Sequence, residues 1–112
     1  MHEYSLVMSL IERVESEAKQ RSAKAIRRIS IRVGDLSGVE ADLLSSAFEI
    51  ASSGTACESA ELLVTREPAR WACPRCEKTL DPEQSLRCAS CNEAGRLAAG
   101  GELLFEQMEI EV

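Results

Sequence analysis

The 112-residue sequence holds a single histidine, His2, so any imidazole chemistry is confined to the first residues of the chain. Aromatics are nearly as scarce, with two Phe, one Tyr and one Trp. No apolar run approaches the roughly 18 residues that a membrane helix needs, so a helical span is excluded. A signal peptide would require a basic start and an unbroken apolar stretch, whereas His2 and Glu3 open the chain and Glu12, Arg13, Glu15 and Glu17 interrupt the apolar positions. The start therefore reads as mature and the protein as cytoplasmic. There is no phosphate-binding Gly-rich loop, no internal repeat and no low-complexity tract, and the lone histidine is terminal, so an enzyme is not expected. Positive charge is also short: the formal net charge of −6 opposes a phosphate backbone, and neither nucleic acid nor membrane is an expected partner.

What is present suits one compact unit. The length is that of a single ordinary domain, and 45% hydrophobic with 29% charged residues is the composition of a folded globular chain. From Ser5 to about Lys19, Leu6, Val7, Leu10, Ile11, Val14 and Ala18 recur at helical spacing, which predicts an amphipathic helix one step behind the N-terminus. Ile29, Ile31 and Val33 alternate with Arg28, Ser30 and Arg32 as in a half-buried strand, closed by the turn signal Gly34-Asp35. Ser37 with Glu40 three residues later has the form of a capping box for a second helix, whose stripe is Val39, Leu43, Leu44, Ala47, Phe48 and Ala51, ending by Gly54. Glu61 to Thr65 predicts a short strand. After Gly100-Gly101 a last strand places Leu104, Met108, Ile110 and Val112 on one parity and Glu109 and Glu111 on the other. The expected fold class is α+β: two helices on a small sheet of about three strands, formed by residues 1–68 plus 99–112, with an inserted cysteine module over residues 69–98.

Within that insertion, Cys73-x2-Cys76 and Cys88-x2-Cys91, separated by eleven residues, have the layout of two thiolate knuckles closing on one ion. Two residues between ligands let both sulfurs of a pair reach one metal at about 2.3 Å. Pro74 stiffens the first knuckle, and Asn92, just after the second, tolerates the left-handed backbone such turns use. Four protein ligands leave no place for substrate water, so the site reads as structural zinc; the same cage also accepts a single iron. Few apolar groups lie between Trp71 and Ala98 besides Trp71, Leu80, Leu86 and Leu97, so the metal must supply much of the stability there. Cys57 stands apart and reads as a small buried apolar residue. Lys19, Arg21, Lys24, Arg27, Arg28 and Arg32 form a basic cluster, read as cations at a helix end and on an exposed strand face; a zinc-ribbon adaptor or nucleic-acid binder without transferable metal is the competing class.

A histidine at position 2 brings a free α-amine, its own backbone nitrogen and its ring nitrogen to one ion, and the backbone nitrogen of Glu3 completes a square. Tetragonal nitrogen sets suit Ni(II) or Cu(II). The opening Met1-His2-Glu3, the helix directly after it, the strand-helix-strand run, the paired Cys-x2-Cys module near residue 80 and the closing strand with alternating glutamates resemble the HypA/HybF family of hydrogenase maturation nickel metallochaperones, across essentially the whole chain. The resemblance implies Ni(II) on His2 and the backbone nitrogens of Met1, His2 and Glu3, with Glu3 itself in the site, and Zn(II) on Cys73, Cys76, Cys88 and Cys91. It further implies delivery to a nickel-iron hydrogenase large-subunit precursor with a HypB-type GTPase, and in some settings contact with urease maturation proteins. Some relatives recruit a second histidine beyond the zinc module; this chain has none.

Overall fold

The computed structural model describes residues 2–112, so the Met1 amine and nitrogen lie outside the described residues. The order is α1 (His2–Gln20), β1 (Ala25–Gly34), α2 (Ala41–Ala51), β2 (Glu61–Glu67), β3 (Arg70–Ala72), β4 (Thr79–Leu80), β5 (Arg96–Ala99) and β6 (Leu103–Glu111). They form two three-stranded sheets, β2-β1-β6 and β4-β3-β5. The α+β class with two helices and a small sheet is as expected. The second sheet, built from strands of two to four residues around the cysteines, was not signalled by any alternation.

Strand β1 is central because both its edges pair: β2 runs parallel to it after the α2 crossover, and β6 runs antiparallel. Its inward residues Ile26, Ile29, Ile31 and Val33 pack with Val7, Ile11 and Val14 of α1 and Leu44, Ala47 and Phe48 of α2. On the other face, Arg28 pairs with Glu61 and Glu109, and Arg32 with Glu67 and Glu106, one carboxylate from each edge strand; Arg27 pairs with Glu111. Three members of the basic cluster are thus engaged within the sheet. Such exposed pairs add little stability each, but they fix strand identity by matching charge across both edges.

Three local expectations change. Helix α1 begins at His2 rather than near Ser5, so His2 and Glu3 belong to its first turn, where a carboxylate suits the positive helix end. Helix α2 begins at Ala41, not after Ser37. Gly38 adopts a φ of +78°, outside helical space, and Ser37 spends its hydroxyl locally, donating to the Gly34 carbonyl and accepting from the Val39 amide. The α2 N-cap, Glu40, makes no side-chain cap bond. In β6 the parity switches: Ser30 pairs with Gln107 but Ile31 with Phe105, so Glu106 is an extra residue. This bulge turns Leu103 and Phe105 onto the core face and leaves Leu104 41% exposed, while Val112, past the end of β6, is 73% exposed. Phe105 then sits beneath the Arg13 guanidinium, 4.7 Å from the ring centroid.

Candidate metal centres

The two cysteine pairs form matching loops. At the first, Cys73 directly follows β3, its amide donating to the Lys78 carbonyl, the Glu77 amide donates back to the Cys73 carbonyl, and the Cys76 amide points at the Cys73 sulfur at 3.3 Å. At the second, the Cys88 amide donates to the Glu93 carbonyl and the Asn92 amide to the Cys88 carbonyl. The residue after each second cysteine is left-handed, Glu77 at φ +60° and Asn92 at +61°. Asn92 is the residue expected in that role. Glu77 occupies the equivalent place without side-chain encouragement, and only the repeat of the knuckle spacing could have announced it.

The loops bring all four sulfurs within 4.8 Å of one another, with Cys73 and Cys91 Sγ 3.6 Å apart. Four thiolates about 2.3 Å from a tetrahedral zinc ion lie about 3.8 Å from each other, so the cage fits zinc. Cys73 and Cys88 are buried and Cys76 and Cys91 half-buried. The Cys88 thiol is lowered to about 6, first by the Ser90 amide and then by the Cys91 amide, both aimed at its sulfur. Cys76 is pushed up to about 12, first because it shares its proton with Cys91 and then by burial. One sulfur is thus ready as thiolate while another holds a proton until a cation replaces it.

Some distance away in sequence, His2 is exposed at the head of α1 and its neighbour Glu3 is half-buried. The first four amides of a helix have no partner within it, so the backbone nitrogens of His2 and Glu3 are not committed to helical hydrogen bonds. The Glu3 carboxylate accepts from the Glu40 amide at 3.4 Å and thereby supplies the missing cap of α2 from another element. Its own amide and then that of Glu40 hold this carboxyl below the usual carboxylate range. Sequence reasoning gave Glu40 a different partner, Ser37, because a cap from 37 residues away leaves no local pattern.

A family model described as hydrogenase/urease nickel incorporation, metallochaperone, matches residues 1–110. The chain belongs to the HypA family. Among its HypA relatives, hydrogenase maturation factor HypA of Shewanella oneidensis is 41% identical over 114 aligned residues, covering 99% of this chain and 96% of that protein. The namesake from Aquifex aeolicus is 33% identical over 114, covering 100% and 99%. The solution structure of the nickel metallochaperone HypA from Helicobacter pylori superposes with a TM-score of 0.73 at 28% identity, covering 97% of each chain. A second HypA solution structure reaches 0.82 at 30% identity, covering 98% of this chain and 96% of that one. HypA membership joins two metals, the nickel of the family description and the zinc that the four-cysteine cage fits.

Cys57, the fifth cysteine, is fully buried in the main core and its thiol is pushed up to about 11, by burial first and the Glu15 charge second. It acts there as a small apolar side chain. We expect it to resist iodoacetamide at pH 8 in the folded protein even after zinc is stripped, while the other four react; peptide mapping by mass spectrometry reads this directly, and labelling of Cys57 at the rate of the other four would contradict it.

Proposed function

We propose that this chain takes up Ni(II) on Met1-His2-Glu3 and delivers it to a nickel-iron hydrogenase large-subunit precursor, assisted by a HypB-type GTPase, in the cytoplasm and without catalysing a reaction of its own. Zinc stays resident on Cys73, Cys76, Cys88 and Cys91. Residues 1–68 with 99–112 serve nickel, and residues 69–98 form the zinc module. The observation that carries the reading is the family match over residues 1–110, which includes the chain's only histidine.

The local geometry supports it. A helix that starts at His2 offers amides without helical partners, so replacing their protons by nickel breaks no helical hydrogen bond. Closing a five-membered chelate through the nitrogens of His2 and Glu3 needs the dihedral between them close to planar, a change of about 40° from helical ψ at one residue. A site at the tip of the first turn can open again without disturbing the core. The Glu3 carboxylate, bonded to the Glu40 amide, tethers this turn to α2.

Metal analysis of the parent and a His2→Ala variant tests the assignment. The variant should lose nickel and keep one zinc per chain; equal nickel in both would refute it. Uptake also requires that the α-amine, the imidazole and the backbone amides be free of the protons that nickel replaces, so nickel affinity should fall steadily as pH is lowered from about 8 to 6. Titrations that are flat from pH 8 to 6 would exclude this ligand set.

A further inference from the structure

Outside the metal centres, the most telling surface is the seam between the two helices. The helices run parallel. Glu3 near the start of α1 reaches the amide of Glu40 at the start of α2, and Glu15 further along accepts from the amide of Ala56, just past the α2 end. The flank of α1 carrying Glu15 therefore faces α2. At about 100° per residue, Tyr4 and Met8 lie within about 20° of Glu15 on the helical wheel. On α2, Ser45, Phe48, Glu49 and Ser52 border the β2 edge beside Ala60 and Leu62, which turns the opposite flank, with Leu43, Ala47 and Ile50, toward α1. Ala47 is buried there, but Leu43 is 50% and Ile50 71% exposed, and Tyr4 and Met8 are each 38% exposed. Four large apolar side chains thus crown the seam, Tyr4, Met8 and Leu43 within a turn or two of His2 and Ile50 about three turns along.

The charges around it are predominantly acidic. Glu3, Glu12 and Glu15 of α1, the α2 cap Glu40, and Asp42 and Glu49 of α2 lie along the two helices; of the cations, Lys19 sits beyond Glu15 at the far end of α1, Arg66 borders the start of α2 but pairs with Asp35, and Arg13 turns to Glu17 and Phe105. Glu12, Asp42 and Glu49 are exposed on the outer sides of the helices. An apolar strip in a predominantly acidic surround disfavours a second copy of this chain, whose carboxylates would oppose its own, and disfavours an anionic bilayer for the same reason. It complements an apolar segment bordered by lysine or arginine.

We propose that the helix seam, crowned by Tyr4, Met8, Leu43 and Ile50, is a docking surface for a partner protein that presents an apolar segment flanked by Lys or Arg. A partner seated there lies next to the nickel residues proposed above, and only the choice of partner to test rests on that reading. The probes are the hydrogenase large-subunit precursor and the HypB-type GTPase, each titrated against the parent chain and variants by biolayer interferometry at low and high salt. Leu43→Ser/Ile50→Ser truncates two side chains that lie outside the hydrophobic core, and a thermal melt confirms that the variant folds. It should bind at least one of the two proteins tenfold or more weakly, with nickel uptake unchanged. Glu12→Lys/Glu49→Lys should also weaken that complex and flatten its salt dependence. Equal binding by parent and double variant, binding of neither protein by the parent, or self-association of the parent that the double variant abolishes would each overturn the proposal. None of these outcomes bears on nickel uptake, which is judged separately by the His2→Ala comparison.

Discussion

Removing zinc with a strong chelator will unfold residues 69–98 and leave α1, α2 and the β2-β1-β6 sheet folded. The reason is the division of apolar packing. The main core draws on α1, β1, α2, β2, β6 and Cys57, and no residue between Thr65 and Leu103 belongs to it or packs against it from the partly buried set. The β4-β3-β5 sheet has strands of two, three and four residues, and Leu86 is largely exposed. Such a sheet is too small to persist alone. Structural zinc in comparable small modules contributes on the order of 10–16 kcal/mol of apparent binding free energy at neutral pH, far more than these strands supply. Trp71, the only tryptophan, lies in β3 two residues before Cys73, so its emission should shift to the red as the metal leaves. Amide exchange should lose protection across the module and keep it in β1. Zinc removed stoichiometrically with Trp71 emission and module protection unchanged would refute the dependence.

Gly34→Ala is the second change from which a large effect is expected. Gly34 closes β1, donates its amide to the Glu102 carbonyl, and lies against the linker that returns from the module: a Cβ placed there would come within 2.3 Å of the Gly100 backbone. Gly100, at φ +88°, is itself wedged against Pro68 and Ala69, where its own Cβ would meet backbone at 2.7 Å. The Asp35 amide donates to Glu67 and the Leu36 amide to Gly100. The end of β1 is therefore bonded to both linkers of the module, with three backbones crossing where no side chain fits. A rigid methyl clash with backbone cannot be relieved by a rotamer, so the cost belongs at the upper end of overpacking, about 3 kcal/mol. That corresponds to a fall in melting temperature of roughly 10 °C or more for a chain of this size. A melting temperature within 2 °C of the parent would show that the crossing is not tight. Because the alanine contacts neither metal set, zinc content should stay at one per chain while stability drops.

The parts legible in the sequence were those governed by near neighbours along the chain. The 3.6-residue recurrence of Val7, Leu10, Ile11 and Val14 predicts α1, and the alternation of Ile29, Ile31 and Val33 predicts β1, because one face of each must leave water. The cysteine cage was legible for the same reason: each knuckle is closed by bonds spanning four or five residues. Where the deciding partner is distant, sequence reasoning failed. Glu40 was paired with Ser37 although its amide donates to Glu3, 37 positions away, and Leu104 was given to the core although pairing with β1 sets the bulge at Glu106 that turns it outward.

By itself, then, the sequence determined the class of the fold, the four thiolates and the confinement of imidazole chemistry to residue 2, since each follows from composition or spacing within a few residues. Only the tertiary structure decided that Glu3 caps α2, that Arg28 and Arg32 are neutralised from both edge strands, that three backbones cross at Gly34, and that Tyr4, Met8, Leu43 and Ile50 share one acidic-rimmed seam. Those relations join residues tens of positions apart. They exist only once the burial of the β1 isoleucines has drawn both helices onto the same face of the sheet.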